Sequence, residues 1–464
     1  MTETIKLDEM EKVQFWVVSP NVKNNEEEND WKDFISKNPF SCMGWGPEDE
    51  RGMTFAEKIK SNDVIINAQR KNWVTTIFSA GVVTSESSLQ RIDGMPSDAY
   101  MRRLSPYLSK DTFEKNTISF DGATYNGGNR QIPAIYELHP ESNIIDKEIV
   151  EYIKTKLYME KYMNSLKKNM NIILNGAPGT GKTYLAKKIA SQMIIQKDKD
   201  VTFSKEEKEL LSSHIGFVQF HPSYDYTDFV EGLRPKDNGN DNIGFKLKNG
   251  IFKDFCKRAL LSYKKEIGEG KKDEEITPYV FIIDEINRGD MSKIFGELFF
   301  SIDPGYRGIN GKVKTQYANL QEGETIFDDD LDAGYFYVPQ NVYIIGTMND
   351  IDRSVESMDF AMRRRFTFIE ITSEQSAKNM NLNDDQKAYM KRLNDAIFNE
   401  NTHNSSIDLS SSYHIGASYF LNVTDFRELW EYKLKPLLTE YLRGMDEAGD
   451  KLEKLHKAYN NESA

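Results

Sequence analysis

The octapeptide Gly176-Ala177-Pro178-Gly179-Thr180-Gly181-Lys182-Thr183 constrains this chain more than any other stretch. It follows a short apolar run at 172–174 and leads into a helical pattern that opens at Tyr184. Strand, glycine loop and helix in that order make a Walker A motif. Glycines let successive backbone N–H groups turn inward on an anion, and the helix N-terminus adds its partial positive charge. A nucleoside triphosphate is the ligand this arrangement takes. Lys182 would reach its β- and γ-phosphates, and the Thr183 hydroxyl would ligate Mg²⁺. The nucleotide site is therefore expected at residues 176–184.

A chain of 464 residues has material for two to four domains. Its net charge of −13 argues against a surface that lies wholly on nucleic acid, so any DNA contact must be local. Two cysteines, Cys42 and Cys256, make no disulfide framework, and six scattered histidines show no zinc spacing. The first ten residues are acidic and lack the apolar core of a secretory signal. No apolar stretch approaches the ~20 residues a membrane span needs. A soluble, cytoplasmic protein is expected.

Residues 1–140 carry four of the five tryptophans and several β-like runs, at 15–18, 63–66 and 75–78, the last expected to continue through 81–83. They read as a small β-rich domain. Residues 141–170 read as a linker and helix, with apolar positions at helical spacing from Ile144 to Tyr162. Strands at 172–174, 216–220, 279–283 and 342–347 then alternate with helical stretches, the pattern of an α/β domain with a parallel sheet over 171–370. Residues 371–464 turn polar and helical and end in a charged tail.

Downstream of the glycine loop, the apolar run 279–283 ends in Asp284 and Glu285. Asp284 is placed to hold the Mg²⁺ shell and Glu285 to deprotonate an attacking water. Asn349 closes another strand, where it can position that water. Arg363, Arg364 and Arg365 are adjacent, which costs repulsion unless they meet carboxylates or phosphates. Arg363 or Arg364 is the candidate arginine finger into a neighbouring subunit's site, which requires a ring-shaped oligomer. Arg365 has the alternative of pairing with acids in its own chain.

These residues carry a family resemblance. Asp284-Glu-Ile-Asn-Arg-Gly289 with Lys293-Ile-Phe-Gly-Glu-Leu298 resembles the Walker B region of McrB, the AAA+ GTPase of modification-dependent restriction systems. Met348, Asn349, Asp352, Arg353 and Ser354 match that family's Met-Asn-x-x-Asp-Arg-Ser signature, and the stretches 219–226 and 228–232 are similar to it as well. The resemblance spans about residues 170–420. It implies an AAA+ P-loop fold with a C-terminal helical lid, GTP in preference to ATP, and a hexamer. It implies that Asn349 and Asp352 share in positioning water, with Arg353 in the same site. It makes 219–250 an insert that decorates the ring, and 415–420 a sensor-2 helix in which Ala417 stands where a histidine is expected, with ordinary lid-domain packing as the alternative for that stretch. The chain shows no Pro-Asp…(Asp/Glu)-x-Lys constellation; Glu206-Glu-Lys208 lies in a helix-like run. Nuclease chemistry is then expected in a separate McrC-like partner.

The order Phe15-Trp-Val-Val-Ser-Pro-Asn21, Met43-Gly-Trp45, 59–64 and 79–83 is similar to EVE domains, small barrels of the PUA-like superfamily that hold a modified base. Such a reader must flip the base out of the duplex and stack it between aromatic and apolar groups. Trp16, Trp45 and Trp73 are the candidate faces, and Ser19 and Asn21 the candidate base-edge contacts. Each tryptophan has the alternative of being core. Residues 51–140 carry 11 Lys and Arg against 9 Asp and Glu, leaving room for a modest basic face with Arg102 and Arg103. The expected function is the motor and modified-DNA-recognition subunit of a restriction complex. An ATP-driven protein remodeller and a modified-RNA-binding NTPase are the alternatives.

Overall fold

The computed structural model describes residues 13–19, 35, 38–43, 49–71, 74–90, 99–109, 117–119, 135–142, 144–195, 203–237, 243–320, 335–351 and 360–462. The chain divides into two compact units, Met1–Asn164 and Ser165–Ala464.

The first unit is β-rich. Its strands are β1 (Phe15–Val18), β2 (Phe40–Met43), β3 (Val64–Lys71), β4 (Val74–Val83), β5 (Ser88–Gln90), β6 (Ala99–Leu108), β7 (Thr117–Ser119) and β8 (Ile135–Glu137). They run in the order β2-β6-β4-β3-β1-β8, with β5 on β6 and β7 on β4. All pairs are antiparallel except β1 with β3. The run at 81–83 continues the strand at 75–78, the two together making β4. Every residue of β1 is buried, the continuous apolar pattern of a strand covered on both faces.

Arg102 departs from the basic face expected of it. It is buried on β6, and its guanidinium donates to the carbonyls of Phe55, Ala56 and Ile59, at or just beyond the C-terminal end of the helix Glu50–Glu57, and to that of Ser85. A helix end leaves carbonyls without intrahelical partners, and a cation there satisfies them and the helix dipole together. Of the pair, only Arg103 is exposed.

In the second unit β9 (Asn171–Gly176), β10 (Ile215–Gln219), β13 (Tyr279–Asp284), β16 (Val342–Asn349) and β17 (Thr367–Glu370) form one sheet in the order β10-β13-β16-β9-β17. All four pairings are parallel. Between them lie two small antiparallel ribbons, β11 (Glu231–Asp237) with β12 (Ile243–Asn249), and β14 (Val313–Lys314) with β15 (Tyr335–Phe336). The first five residues of β13 are buried, and Phe281 packs edge-on against Phe229, Phe252 and Phe255. Each fully buried side chain of that size contributes about 1.5–3 kcal/mol. Asn171 pins the start of β9: its amide donates to the carbonyls of Ile302 and Arg365, and its Oδ1 accepts from buried Arg307.

Helices over Ser373–Asn379, Asp384–Ile397, Lys435–Tyr441 and Ala448–Asn460 enclose a separate core around Leu393, Trp430, Leu438 and Tyr459. Capping boxes open the first two, through Thr372 with Gln375 and Asn383 with Gln386. Glu206 and Glu207 sit in the first turn of the helix Lys205–His214, where Glu207 completes a capping box with Ser204, a structural use of those acids.

Buried His414 and His214 make this unit sensitive to acid. Burial holds both imidazoles below their ordinary range, and His414 Nε2 faces the Phe398 carbonyl at 2.9 Å. The folded state therefore keeps them neutral, while the unfolded chain takes up protons below roughly pH 6.5. Stability is present above that pH and is lost as pH falls through it. Thermal unfolding followed from pH 8 to pH 5 is expected to show a falling Tm, with a shallower fall in His414→Gln. An unchanged slope in that variant would remove His414 as a source of the sensitivity.

Candidate nucleotide site

The parallel register sets the site. Asn349 on β16 pairs with Gly176 at the end of β9, so the end of one strand and the start of the glycine loop lie side by side. Ile283 pairs with Gly346, which brings Asp284 level with Thr347. Ligand sites of open parallel sheets form at these carboxyl ends.

The loop turns through Gly176, Gly179 and Gly181, with φ of 149°, 78° and 78°. Those values favour glycine. Among the described residues no hydrogen bond uses the backbone N–H of Gly179, Thr180 or Gly181. They are the donors a phosphate would take at the N-terminus of the helix Lys182–Ile195. The buried Lys182 ammonium is aimed into the loop, 3.0 Å from the Gly176 carbonyl and 2.9 Å from that of Ala177. Thr180 Oγ1 donates to Ala177 O at 2.9 Å and braces the turn, and Tyr184 lies in the first turn of the helix.

The Thr183 hydroxyl donates to Asp284 Oδ1 at 2.5 Å, and Thr347 donates to the same oxygen at 2.7 Å. A hydroxyl beside a carboxylate is the hard-oxygen donor pair that Mg²⁺ takes together with phosphate oxygens and waters. Among the described residues no group of three or more His, Cys, Asp and Glu could hold a metal. Glu285 has a left-handed backbone, φ 52° and ψ 48°. For a non-glycine residue that costs about 1–3 kcal/mol. Its amide N–H donates to Thr347 Oγ1 at 3.2 Å. Its carboxylate accepts from Asn349 Nδ2 at 2.7 Å and lies 3.3 Å from Arg288 Nε.

Four members of the cluster, Thr347, Asn175, Asp350 and Arg288, are not among the site residues expected from sequence. Thr347 links Asp284 to the Glu285 backbone. Asn175 donates to Asp350 at 3.2 Å, and burial raises the Asp350 carboxyl above the ordinary range against the pull of Asn175 and Lys182. Arg288 flanks Glu285. The signal for Thr347 was the polar residue at the end of an otherwise apolar strand.

The region expected as a sensor-2 helix is a short 3₁₀ turn, Ala417–Tyr419, lying on the glycine loop. Gly416 N–H donates to Pro178 O and Ser418 N–H to Gly179 O, both at 3.0 Å. Arg363 and Arg364 are exposed and make no ion pair among the described residues, with the Arg363 guanidinium over the Phe368 ring. Arg365 reaches Asp303 of its own chain at 3.9 Å. Asp352 and Arg353 lie outside the described residues. So do Asn21, Trp45 and Trp73 of the expected base pocket. Trp16 is buried in the first unit with its indole N–H on Asp63 at 3.2 Å, and Ser19 is buried beside β1. A cleft of about 440 Å³ in that unit is lined by Phe40, Met101, Arg103, Glu86 and a run of hydroxyl side chains, with the Arg103 guanidinium over Phe40.

Sheet order, glycine loop and paired carboxylates define a P-loop NTPase, and residues 171–366 match the AAA domain family of the dynein-related subfamily. Residues 385–449 match the McrB alpha-helical lid domain. The chain thus carries a McrB-like AAA domain followed by a McrB lid. It is 32% identical over 346 residues to the type IV methyl-directed restriction enzyme EcoKMcrB subunit of Escherichia coli strain K12, covering 70% of this chain and 65% of that protein. It is 26% identical over 223 residues to the type II restriction enzyme BsuMI component YdiS of Bacillus subtilis strain 168, covering 43% of this chain and 56% of that one. The chain thus spans less than two thirds of the length of each of these relatives.

Proposed function

We propose that this chain is the GTP-hydrolysing motor and DNA-recognition subunit of a modification-dependent restriction complex, acting as a ring, expected to be a hexamer, with a separate McrC-like nuclease. The observation that carries the reading is the cluster of Lys182, Thr183, Asp284, Glu285 and Asn349 at the carboxyl ends of the strands, joined to a McrB-type lid. The loop N–H groups and Lys182 bind the triphosphate. Thr183 and Asp284 hold Mg²⁺, which when bound neutralises charge on the β- and γ-phosphates. Asn349 orients Glu285 toward the water that attacks the γ-phosphate, and Glu285 accepts its proton. Asp352 and Arg353 complete the site, and Arg363 or Arg364 enters from the neighbouring subunit. The β-rich region 1–140, read as an EVE-like barrel, takes the modified base of double-stranded DNA, with Trp16, Ser19, Asn21, Trp45 and Trp73 as the pocket candidates. Nuclease chemistry belongs to the partner.

Hydrolysis of GTP against ATP, with and without modified duplex DNA and the McrC-like partner, tests this. GTP-selective turnover raised by the partner is expected. ATP-selective turnover indifferent to DNA and partner would replace the reading with an ATP-driven protein remodeller.

A further inference from the structure

The ribbon β11–β12 stands apart from the parallel sheet, and its register is Gly232↔Lys248, Leu233↔Leu247, Arg234↔Lys246, Pro235↔Phe245 and Lys236↔Gly244. Side chains alternate across a strand, so Arg234, Lys236, Lys246 and Lys248 share one face and Leu233, Pro235, Phe245 and Leu247 the other. All four cations are exposed, and Phe245 is 68% exposed on the opposite side. Neither face is covered by its own domain.

The root of the ribbon is fixed. Glu231 is fully buried, ion-paired with buried Lys253, and accepts the Tyr317 N–H at 3.2 Å. Arg234 pairs with Asp228 beside the root. Lys236, Lys246 and Lys248 have no carboxylate partner among the described residues. Three lysines without a carboxylate partner among the described residues, gathered on one face of an anchored ribbon, run against the chain's net charge of −13. Lysines on exposed edges also deter strand-to-strand aggregation. That role does not require them to gather on one face of both strands.

We propose that this face docks on the phosphate backbone of duplex DNA, making a second contact to nucleic acid within the motor unit itself. The proposal rests on the reading that the subunit acts on DNA. A two-stranded ribbon fits the major groove, about 12 Å wide, and lysines along it meet phosphates without reading sequence.

The test uses the full chain and an unmodified 30-base-pair duplex, with binding followed by fluorescence anisotropy over a salt series. Two triple variants at Lys236, Lys246 and Lys248, one to Glu and one to Gln, are compared with Lys264→Glu, an exposed lysine on another element. Tm and basal GTP turnover check that each variant is folded. Affinity is expected to fall on the order of tenfold or more, and the salt slope of log K to drop by about 2–3, in both triple variants and not in the control. Wild-type affinity and slope in the triple variants would overturn the ribbon contact and leave the GTPase reading intact. Failure of the wild type to bind the duplex would overturn the contact too, whereas absence of GTP turnover bears on the proposed function alone. Unchanged DNA binding with lost stimulation by the nuclease partner would make the ribbon a protein-docking surface and overturn the proposal.

Discussion

Glu285→Gln is expected to slow nucleotide hydrolysis by about 10²- to 10⁴-fold, the range a positioned general base supplies, while nucleotide affinity stays within a few-fold of wild type. The reason is local. Glutamine keeps the shape of the side chain and an oxygen that accepts from Asn349 Nδ2, so the hydrogen bond at 2.7 Å survives. What disappears is the carboxylate that can take a proton. The left-handed backbone at this position places the side chain beside the ends of β13 and β16 at a conformational cost, and such strain concentrates at functional sites. Single-turnover hydrolysis with equilibrium nucleotide binding separates the two effects. A variant turning over within about threefold of wild type would remove Glu285 from that role. Asp350, held by Asn175 and near Lys182, would be the next carboxylate to examine, with Asp350→Asn as the parallel variant.

How much of this site was legible depends on whether a residue's role is local or comes from register. The glycine loop is local: its chemistry needs three glycines, a lysine and a hydroxyl within eight positions. Asp284 and Glu285 were readable because an apolar strand ending in two acids, a weak signal alone, stands in the same chain as the glycine loop. Thr347 was not. Its polarity at the end of an apolar strand is visible, but its part comes from the parallel register that sets Gly346 against Ile283. Arg102 is the opposite case. Its charge suggested a surface face, but a guanidinium can be buried when enough carbonyls converge on it, and the end of the helix Glu50–Glu57 supplies most of them. In β11–β12 the alternation of Leu233, Arg234, Pro235 and Lys236 is visible in sequence, but only pairing with β12 shows that the cations of both strands share a face. The turn at 417–419 showed no helical periodicity of its own. Packing against the glycine loop, distant in sequence, makes it a turn and gives its backbone donors their partners.

That packing carries the second large expectation. Gly416→Ala is expected to destabilise the nucleotide-free chain by about 1–3 kcal/mol, the usual cost of overpacking. For a unit of this size that is a fall in Tm of roughly 2–12 °C. A Cβ at Gly416 would lie 2.1 Å from the Gly179 carbonyl carbon and 2.2 Å from the Thr180 nitrogen. Both are backbone atoms of a turn braced by its own hydrogen bonds, so the lid turn must move, and it would give up its bonds to Pro178 O and Gly179 O. Those bonds use the loop's carbonyls and leave its N–H groups to the phosphates, so lid and nucleotide do not compete for the same atoms. Gly416→Ala is therefore expected to weaken nucleotide binding through a misplaced loop, and saturating nucleotide is expected to restore part of the lost Tm by binding the folded state. Differential scanning fluorimetry with and without nucleotide reads both effects. If the variant melts with the wild type and binds nucleotide equally, the lid turn yields to the extra methyl and is not what sets the shape of the loop.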